Sequence, residues 1–146
     1  MHDLDIKIIS MLQDDGRVSN VEIARDVGIS EGTVRRRLKR LIQDEFIRVS
    51  ALRDPGKMGY ASEALVGVQA DPDKIDQVAE DLARLDEVDW VTVTTGAYDV
   101  FAWAALQSAE ALGIFLRTKV GTIPGVQRAE TFVNLSVKKR GYGISV

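Results

Sequence analysis

The chain lacks cysteine altogether, and it holds one histidine, three prolines and few aromatic residues, 6% of the total. Each scarcity excludes something. Without cysteine there is neither a disulfide framework nor a thiolate metal site. The single histidine, His2, stands beside the start and reads as an ordinary exposed residue rather than a ligand. No apolar run approaches the ~20 residues that span a bilayer. The opening MHDLDIK lacks the basic-then-apolar form of a signal peptide. A cytoplasmic protein with no membrane partner is therefore expected. Neither sign of charge dominates: 19 basic against 22 acidic residues leave a net charge of −3. That balance argues against an indiscriminate nucleic-acid coat but leaves room for a local basic patch. The remainder, 45% hydrophobic and 28% charged over 146 residues, is an ordinary folded composition, enough for one domain or two small ones.

The local patch is SEGTVRRRLKRLIQ, Ser30 to Gln43. Val34, Leu38, Leu41 and Ile42 form one stripe at helical spacing. Opposite it stand Gly32, Arg36, Lys39 and Gln43, with Thr33 and Arg40 beside them and Arg35 and Arg37 flanking the stripe. Five cations thus share a helix with one acid, Glu31, which occupies the first turn where the helix dipole favours it. Ser30 is placed to cap, and the small Gly32 and Thr33 let this end approach another surface closely. Alone, a basic amphipathic helix is as well explained by a solvated face. The preceding residues add to it. Ser19-Asn-Val-Glu22 is a capping box. Ile23, Ala24 and Val27 make a short apolar stripe, and Gly28 suits the left-handed end of a helix. Helix, short glycine-containing turn and basic helix follow in the helix-turn-helix order, a geometry that suits the DNA major groove.

Asp3 to Asp15 reads as a helix packed through Leu4, Ile8, Met11 and Leu12, widened by Ile9, with Ile6 pointing away. The expected core of this three-helix unit is Leu4, Ile8, Leu12, Ile23, Val27, Val34, Leu38 and Leu41. Phe46 to Leu52 alternates and is rich in β-formers, which predicts a linking strand, and Asp54-Pro-Gly-Lys57 predicts a turn. The expected domains are 1–45, a linker strand and turn over 46–59, and 60–146. The last alternates strand and helix: a strand over 61–70, a helix capped by Asp71 or Asp73 and running to about Leu85, strands over 90–95 and 98–106, a helix from Ser108 to about Lys119, and a strand over 126–137. The order βαββαβ is the split, ferredoxin-like unit, so the expected class is α+β, a winged-type helix-turn-helix domain followed by a ferredoxin-like domain. Val100-Phe-Ala-Trp-Ala-Ala-Leu106 is apolar on both faces, whereas helices cover one face of such a sheet. An apolar open face predicts burial against a second copy through Phe101 and Trp103; the alternative is an aromatic ligand held by the same two rings. A symmetric dimer would present two recognition helices to half-sites about 34 Å apart.

Several stretches together resemble the Lrp/AsnC family of transcriptional regulators, over essentially the whole chain. They are Asp14-Asp-Gly-Arg-Val-Ser-Asn20, the helix-turn-helix, Lys57-Met-Gly-Tyr60, Gly96-Ala-Tyr-Asp99, and Pro124-Gly-Val126 followed by Thr131-Phe-Val133. The resemblance implies a DNA-binding domain, then a domain that dimerises through its sheet and often senses amino acids, with dimers assembling into tetramers, octamers or larger species. The chain departs from the family pattern where glycine usually follows the recognition helix, for Glu45 and Phe46 stand there. It also has Ala129 and Ser108 where Thr and Asp are common.

The expected function is sequence-specific transcription regulation on double-stranded DNA, with no cofactor and no catalysis. Arg35, Arg37, Lys39 and Arg40 are assigned to phosphates, Thr33 and Arg36 to base edges, with Ser30 and Gly32 completing the surface. A small effector, an amino acid or similar, is expected between dimers at Thr94 and the turn Gly96-Ala97-Tyr98-Asp99. A glycine turn can offer backbone N–H groups to a carboxylate, and Asp99 can take an ammonium. Ser108, Ala129 and Thr131 would surround the effector's side chain, and the small, uncharged Ser108 and Ala129 favour a neutral or apolar one. The bland alternative is a plain hairpin turn in which Tyr98 packs and Asp99 stabilises the turn. Two rival functions are an enzyme on the same architecture, of the sirohaem decarboxylase kind, and a ligand-sensing oligomer that no longer binds DNA. The first wants an internal acid–base residue such as histidine, which the chain lacks; the intact basic helix argues against the second.

Overall fold

The computed structural model describes residues 2–141. The chain divides into two compact units, one running to Leu52 and taking in Arg140, the other spanning Arg53–Lys139. Residues 142–146, read from the sequence as the end of the second domain, lie outside the described ones.

The first unit holds three helices, α1 (Asp3–Asp14), α2 (Asn20–Val27) and α3 (Glu31–Gln43). Their ends follow from local chemistry. His2 is more than an ordinary exposed residue: its Nδ1 accepts from the Leu4 N–H at 3.3 Å and caps α1. The Ser19–Glu22 capping box forms in both directions, at 3.2 and 2.9 Å. Gly28 takes a φ of 76° and ends α2. Ser30 caps α3, its hydroxyl accepting from the Thr33 N–H at 3.2 Å. Ile8, Ile23, Ala24 and Val34 form the core, with Met11, Leu12, Val18, Val27 and Ile29 packed around them. Of the residues expected in this core, Leu4, Leu12, Val27 and Leu38 are only half-buried, and Ile42 of the expected stripe is 45% exposed. A domain this small shields only the centre of each helical stripe.

The end of α3 supplies a glycine's conformation without a glycine. Glu45 sits at φ 57°. The Phe46 N–H donates to the Leu41 carbonyl at 2.9 Å and the Glu45 N–H to Ile42 at 3.2 Å. This pair of bonds is the Schellman termination, which normally places Gly at the left-handed position. Beyond it, the expected linker strand is absent. Residues 47–54 carry no β-pairing among the described residues, and Phe46, Val49 and Leu52 are exposed. Alternation and β-propensity do not make a strand where no neighbour takes up the backbone N–H and C=O groups. The turn at Asp54 does form, closed by the Met58 N–H on Asp54 O and the Tyr60 N–H on Pro55 O.

The second unit is a four-stranded antiparallel sheet with helices on one face. Its elements are β1 (Ser62–Ala70), α4 (Ile75–Ala83), β2 (Val88–Val93), β3 (Val100–Leu106), α5 (Ala109–Phe115) and β4 (Val126–Val133), in the sheet order β2-β3-β1-β4. Val and Ala dominate the helix-facing positions: Ala64, Val66, Val68 and Ala70 of β1 and Val100, Ala102 and Ala104 of β3 pack on Val78, Leu82, Leu112 and Phe115. Five details depart from expectation. The central strands run over Val88–Val93 and Val100–Leu106 rather than 90–95 and 98–106, so the turn between them is longer. Neither Asp71 nor Asp73 caps α4; Lys74 occupies that position, and its side chain makes no capping bond. α4 ends at Ala83, before Leu85. After Phe115 the helix widens into a π-type turn, Leu116–Val120, where regular α-helix was expected to continue. β4 stops at Val133, four residues short of the expected Val137; beyond it a single bond, from the Asn134 N–H to Glu63 O at 2.8 Å, still reaches β1.

Candidate nucleic-acid interface and effector turn

α3 carries the expected basic residues, but the structure sorts them into distinct groups. Arg35 pairs with Glu31 one turn earlier on an exposed surface. Arg37 and Arg40 both turn towards α1 and meet Asp5, each at 2.9 Å, one on each carboxylate oxygen. Asp5 is 2% exposed. Its burial raises the carboxyl's pKa, but the Arg37 hydrogen bond, the charges of Arg37 and Arg40 and the His2 backbone outweigh that and hold it below its ordinary value. Arg36 and Lys39 are exposed and form no ion pair among the described residues. Periodicity placed Arg37 at the edge of the apolar stripe, which was the one hint of this split. Asp5 itself lies in the first turn of α1, where local sequence gives no sign of a partner on α3.

At the start of α3, the Ser30 and Thr33 hydroxyls lie 2.8 Å apart and share a hydrogen bond. Gly32 is exposed, and a Cβ built there would meet nothing within 4 Å. Internal packing therefore gives no reason for glycine at a helical position where alanine is favoured by about 1 kcal/mol.

In the second unit the turn after β2 is tied firmly to the sheet. Thr94 N–H donates to Asp99 O at 2.9 Å and the Thr94 hydroxyl to Tyr98 O at 3.0 Å. The Asp99 N–H reaches Val68 O, and Asp99 Oδ2 accepts from the Ala70 N–H, both at 2.9 Å. Gln69 Nε2 donates to Ala97 O at 2.9 Å. Asp99 thus stabilises the turn, as the bland alternative had it, with one oxygen already engaged. Gly96 has a φ of 104° with open space around it. The Gly96 and Ala97 N–H groups are exposed, with no hydrogen bond among the described residues.

The eight residues expected to line the effector site do not all meet within one chain. Thr94, Gly96, Ala97, Tyr98 and Asp99 do. Ala129 and Thr131 pair with Val68 and Val66, so they lie in the rows that face the helices, away from the Tyr98 ring. Ser108 lies past the opposite end of β3, roughly 20 Å along the strand, and its hydroxyl is spent capping α5 by accepting from the Ala111 N–H. Strand alternation separates these residues within one chain. In β4 the residues that share a face with Tyr98 are Glu130 and Phe132, one position from those expected.

The other face of the sheet carries no helix. Trp90, Trp103, Leu65 and Phe132 pair in one row across all four strands. Trp90 is 52% exposed and Phe132 43%. Trp103 is half-buried and donates from Nε1 to Glu63 Oε2 at 2.9 Å. In the next row Thr92, Phe101, Gly67 and Glu130 align. A Cβ at Gly67 would lie 2.8 Å from Tyr98 Cγ. The Tyr98 ring thus occupies the space of the missing side chain, edge-on to Phe101 at 5.4 Å and to Phe132 at 6.2 Å. Phe101 and Trp103 were anticipated here. Trp90, Phe132 and Gly67 were not, though the alternation of β2 and β4 would have marked the first two.

No helix among the described residues is long and apolar enough to cross a membrane, and none of their His, Asp and Glu side chains cluster to hold a metal. A capped helix-turn-helix with a basic second helix, followed by a separate sheet unit with a donor-lined turn, defines a DNA-binding regulator with a ligand-binding domain. Residues 1–48 match the winged helix-turn-helix DNA-binding family, and residues 63–144 match the Lrp/AsnC ligand binding domain. An uncharacterized HTH-type transcriptional regulator of Pyrococcus furiosus is 43% identical over 143 residues, covering 97% of each chain. The HTH-type transcriptional regulator Ptr1 of Methanocaldococcus jannaschii is 36% identical, covering 94% of each. Among solved structures, E. coli AsnC superposes with a TM-score of 0.91 at 26% identity, covering 100% of this chain and 99% of its own. A transcriptional regulator of Neisseria meningitidis in complex with L-Met gives 0.87 at 27% identity, covering 96% and 93%. The chain belongs to the Lrp/AsnC family, and it is a transcriptional regulator.

Proposed function

We propose that the chain binds specific DNA sequences as a homodimer or larger assembly and changes that binding when a free amino acid, or a molecule like one, occupies the turn at Gly96–Asp99. The observation that carries the DNA half is the start of α3. It is capped and carries a glycine that packing does not require. Arg36 and Lys39 stand outward without ionic partners among the described residues. In this reading Thr33 and Arg36 meet base edges, Lys39 meets a phosphate, and Gly32 allows the close approach. Arg35 is held by Glu31, and Arg37 and Arg40 by Asp5, so none of the three is assigned a phosphate in this reading. The apolar row Trp90, Trp103, Leu65 and Phe132 supports dimerisation through the open face, since so continuous a patch is a cost in water.

The effector half is supported by the exposed Gly96 and Ala97 donors, which suit a carboxylate, and by a solved relative that holds L-methionine. Asp99 contributes its remaining oxygen to an ammonium. Ala129 and Thr131 surround the ligand only if a second dimer brings them there. Selection of bound duplexes from a random pool, repeated with each amino acid, tests both halves. Recovery of one motif, with enrichment that shifts for a particular amino acid, is expected. Recovery of no motif would defeat the DNA reading. A motif indifferent to every amino acid, together with no calorimetric binding or binding that Gly96→Trp leaves intact, would defeat the effector reading alone.

A further inference from the structure

We infer that Asp5 determines how selective the recognition helix is, by withholding two of its cations from DNA. The inference rests on the DNA-binding reading above and deepens it. Asp5 lies on α1, 32 residues before Arg37 and 35 before Arg40, and its carboxylate is almost fully buried. It takes one hydrogen bond from each guanidinium, one per oxygen. The Arg37 side chain is only 21% exposed, so it cannot reach a phosphate without leaving Asp5. Arg40 is 56% exposed, yet it is tethered through one nitrogen, which fixes where the rest of its guanidinium points.

The consequence for binding is one of charge accounting. Cations that meet phosphates add affinity for every sequence alike, and they steepen the fall of affinity with salt by about 0.9 logarithmic units per phosphate. α3 carries five cations, enough for a strong sequence-independent grip. With Arg37 and Arg40 held by Asp5 and Arg35 paired to Glu31, the cations of α3 that have no ionic partner among the described residues are Arg36 and Lys39. Affinity for random DNA is thereby kept low, and contacts at base edges decide where the protein binds. Asp5 touches no nucleotide in this account. It is a positioning residue, acting through the two arginines.

The test uses the full-length chain, a duplex selected by the wild type and a random-sequence duplex, titrated across a roughly fourfold range of salt. Arg37→Gln should leave the salt slope unchanged on both. A slope shallower by about 0.9 would make Arg37 a phosphate ligand and overturn the inference. Asp5→Asn should free both arginines, steepen the slope on random DNA by up to about 0.9 for each, and shrink the ratio of selected to random affinity. A purely structural role predicts instead equal loss on both duplexes with no change of slope. A folded Asp5→Asn protein behaving in that way would overturn the inference. If Asp5→Asn does not fold, the double variant Asp5→Leu/Arg37→Met replaces the buried pair with apolar volume and frees Arg40. It should still steepen the slope by about 0.9, and an unchanged slope would overturn the inference equally. A wild-type chain with no preference between the duplexes would instead defeat the underlying DNA reading.

Discussion

Glu45→Gly should stabilise the helix-turn-helix unit. Glu45 is held at φ 57° by the two bonds that end α3, so substitution does not change the conformation the backbone must take. A left-handed L-residue costs roughly 1–2 kcal/mol, which glycine escapes. Glycine loses more chain freedom on folding, returning about 0.5–1 kcal/mol of that gain. The carboxylate also faces the negative end of the α3 dipole, an unfavourable placement of about 0.3–1 kcal/mol at a surface. The net expectation is a gain near 1 kcal/mol, or a rise of roughly 4–8 °C in the melting temperature of a domain this small. Urea titration followed through the amide resonances of α2 and α3 reads this unit separately from the sheet unit. Glu45→Gln isolates the charge, because it keeps the side chain and the strain, and should recover less than half of the gain. Gly28→Ala is the mirror experiment. Its φ is 76° and a Cβ there has open space, so its cost, about 1 kcal/mol, is backbone strain alone. If Glu45→Gly is neutral or harmful, or if Glu45→Gln matches it, the left-handed cap is not under strain and the reasoning fails.

Four other outcomes are expected. Gly32→Ala should stabilise the fold by up to about 1 kcal/mol in the same titration, yet weaken binding in mobility-shift assays, because the methyl group stands between helix and groove; tighter binding would remove Gly32 from the interface. Arg36→Ala should cost about 1–3 kcal/mol on the selected duplex and relax one position of each half-site, whereas Lys39→Ala should weaken all duplexes alike and reduce the salt slope by about 1; equal losses from the two would refute their separate roles. Trp103→Asp should abolish the dimer in sedimentation experiments by placing an unpartnered charge in the apolar row; a variant that remains dimeric places the contact elsewhere. The stability of the helix-turn-helix unit should be flat near neutral pH and fall in acid. Both Asp5 and Glu22 are held below their ordinary values, Glu22 by the Ser19 backbone and hydroxyl, so the unfolded chain binds more protons and the contribution is lost as pH drops through the lowered values. Glu22→Gln should flatten that acid limb, and an unchanged limb would show that the capping box does not couple to the proton.

What the sequence disclosed and what it hid divide along physical lines. Helix ends were legible because they depend on neighbours: Ser19 with Glu22, Gly28, and Ser30 each act within a few positions. The order of elements in the second unit was legible from the alternation of strand-like and helix-like stretches. The Asp5 pairing of Arg37 and Arg40 was hidden because helical period shows which way a side chain points and not what awaits it, and Asp5 is more than thirty residues away. Ala129 and Thr131 were assigned by likeness rather than by face, and a one-residue choice in a strand selects the opposite side of the sheet. Phe46 to Leu52 has the composition of a strand, but pairing is a property of two segments, and among the described residues no second segment pairs with it.

The ring of Tyr98 gives the second unit a mechanical property. Its backbone belongs to the turn, where Thr94 binds its carbonyl. Its side chain belongs to the open face, resting in the notch left by Gly67 between Phe101 and Phe132. One rigid residue is thus a part of both surfaces. A molecule that settles on the turn and twists it must also lever the ring, and the ring is a piece of the wall that another protein surface would press against. Under the proposed function, a ligand at the turn and a second copy on the open face would share this one side chain, with no pathway of intervening residues needed between them.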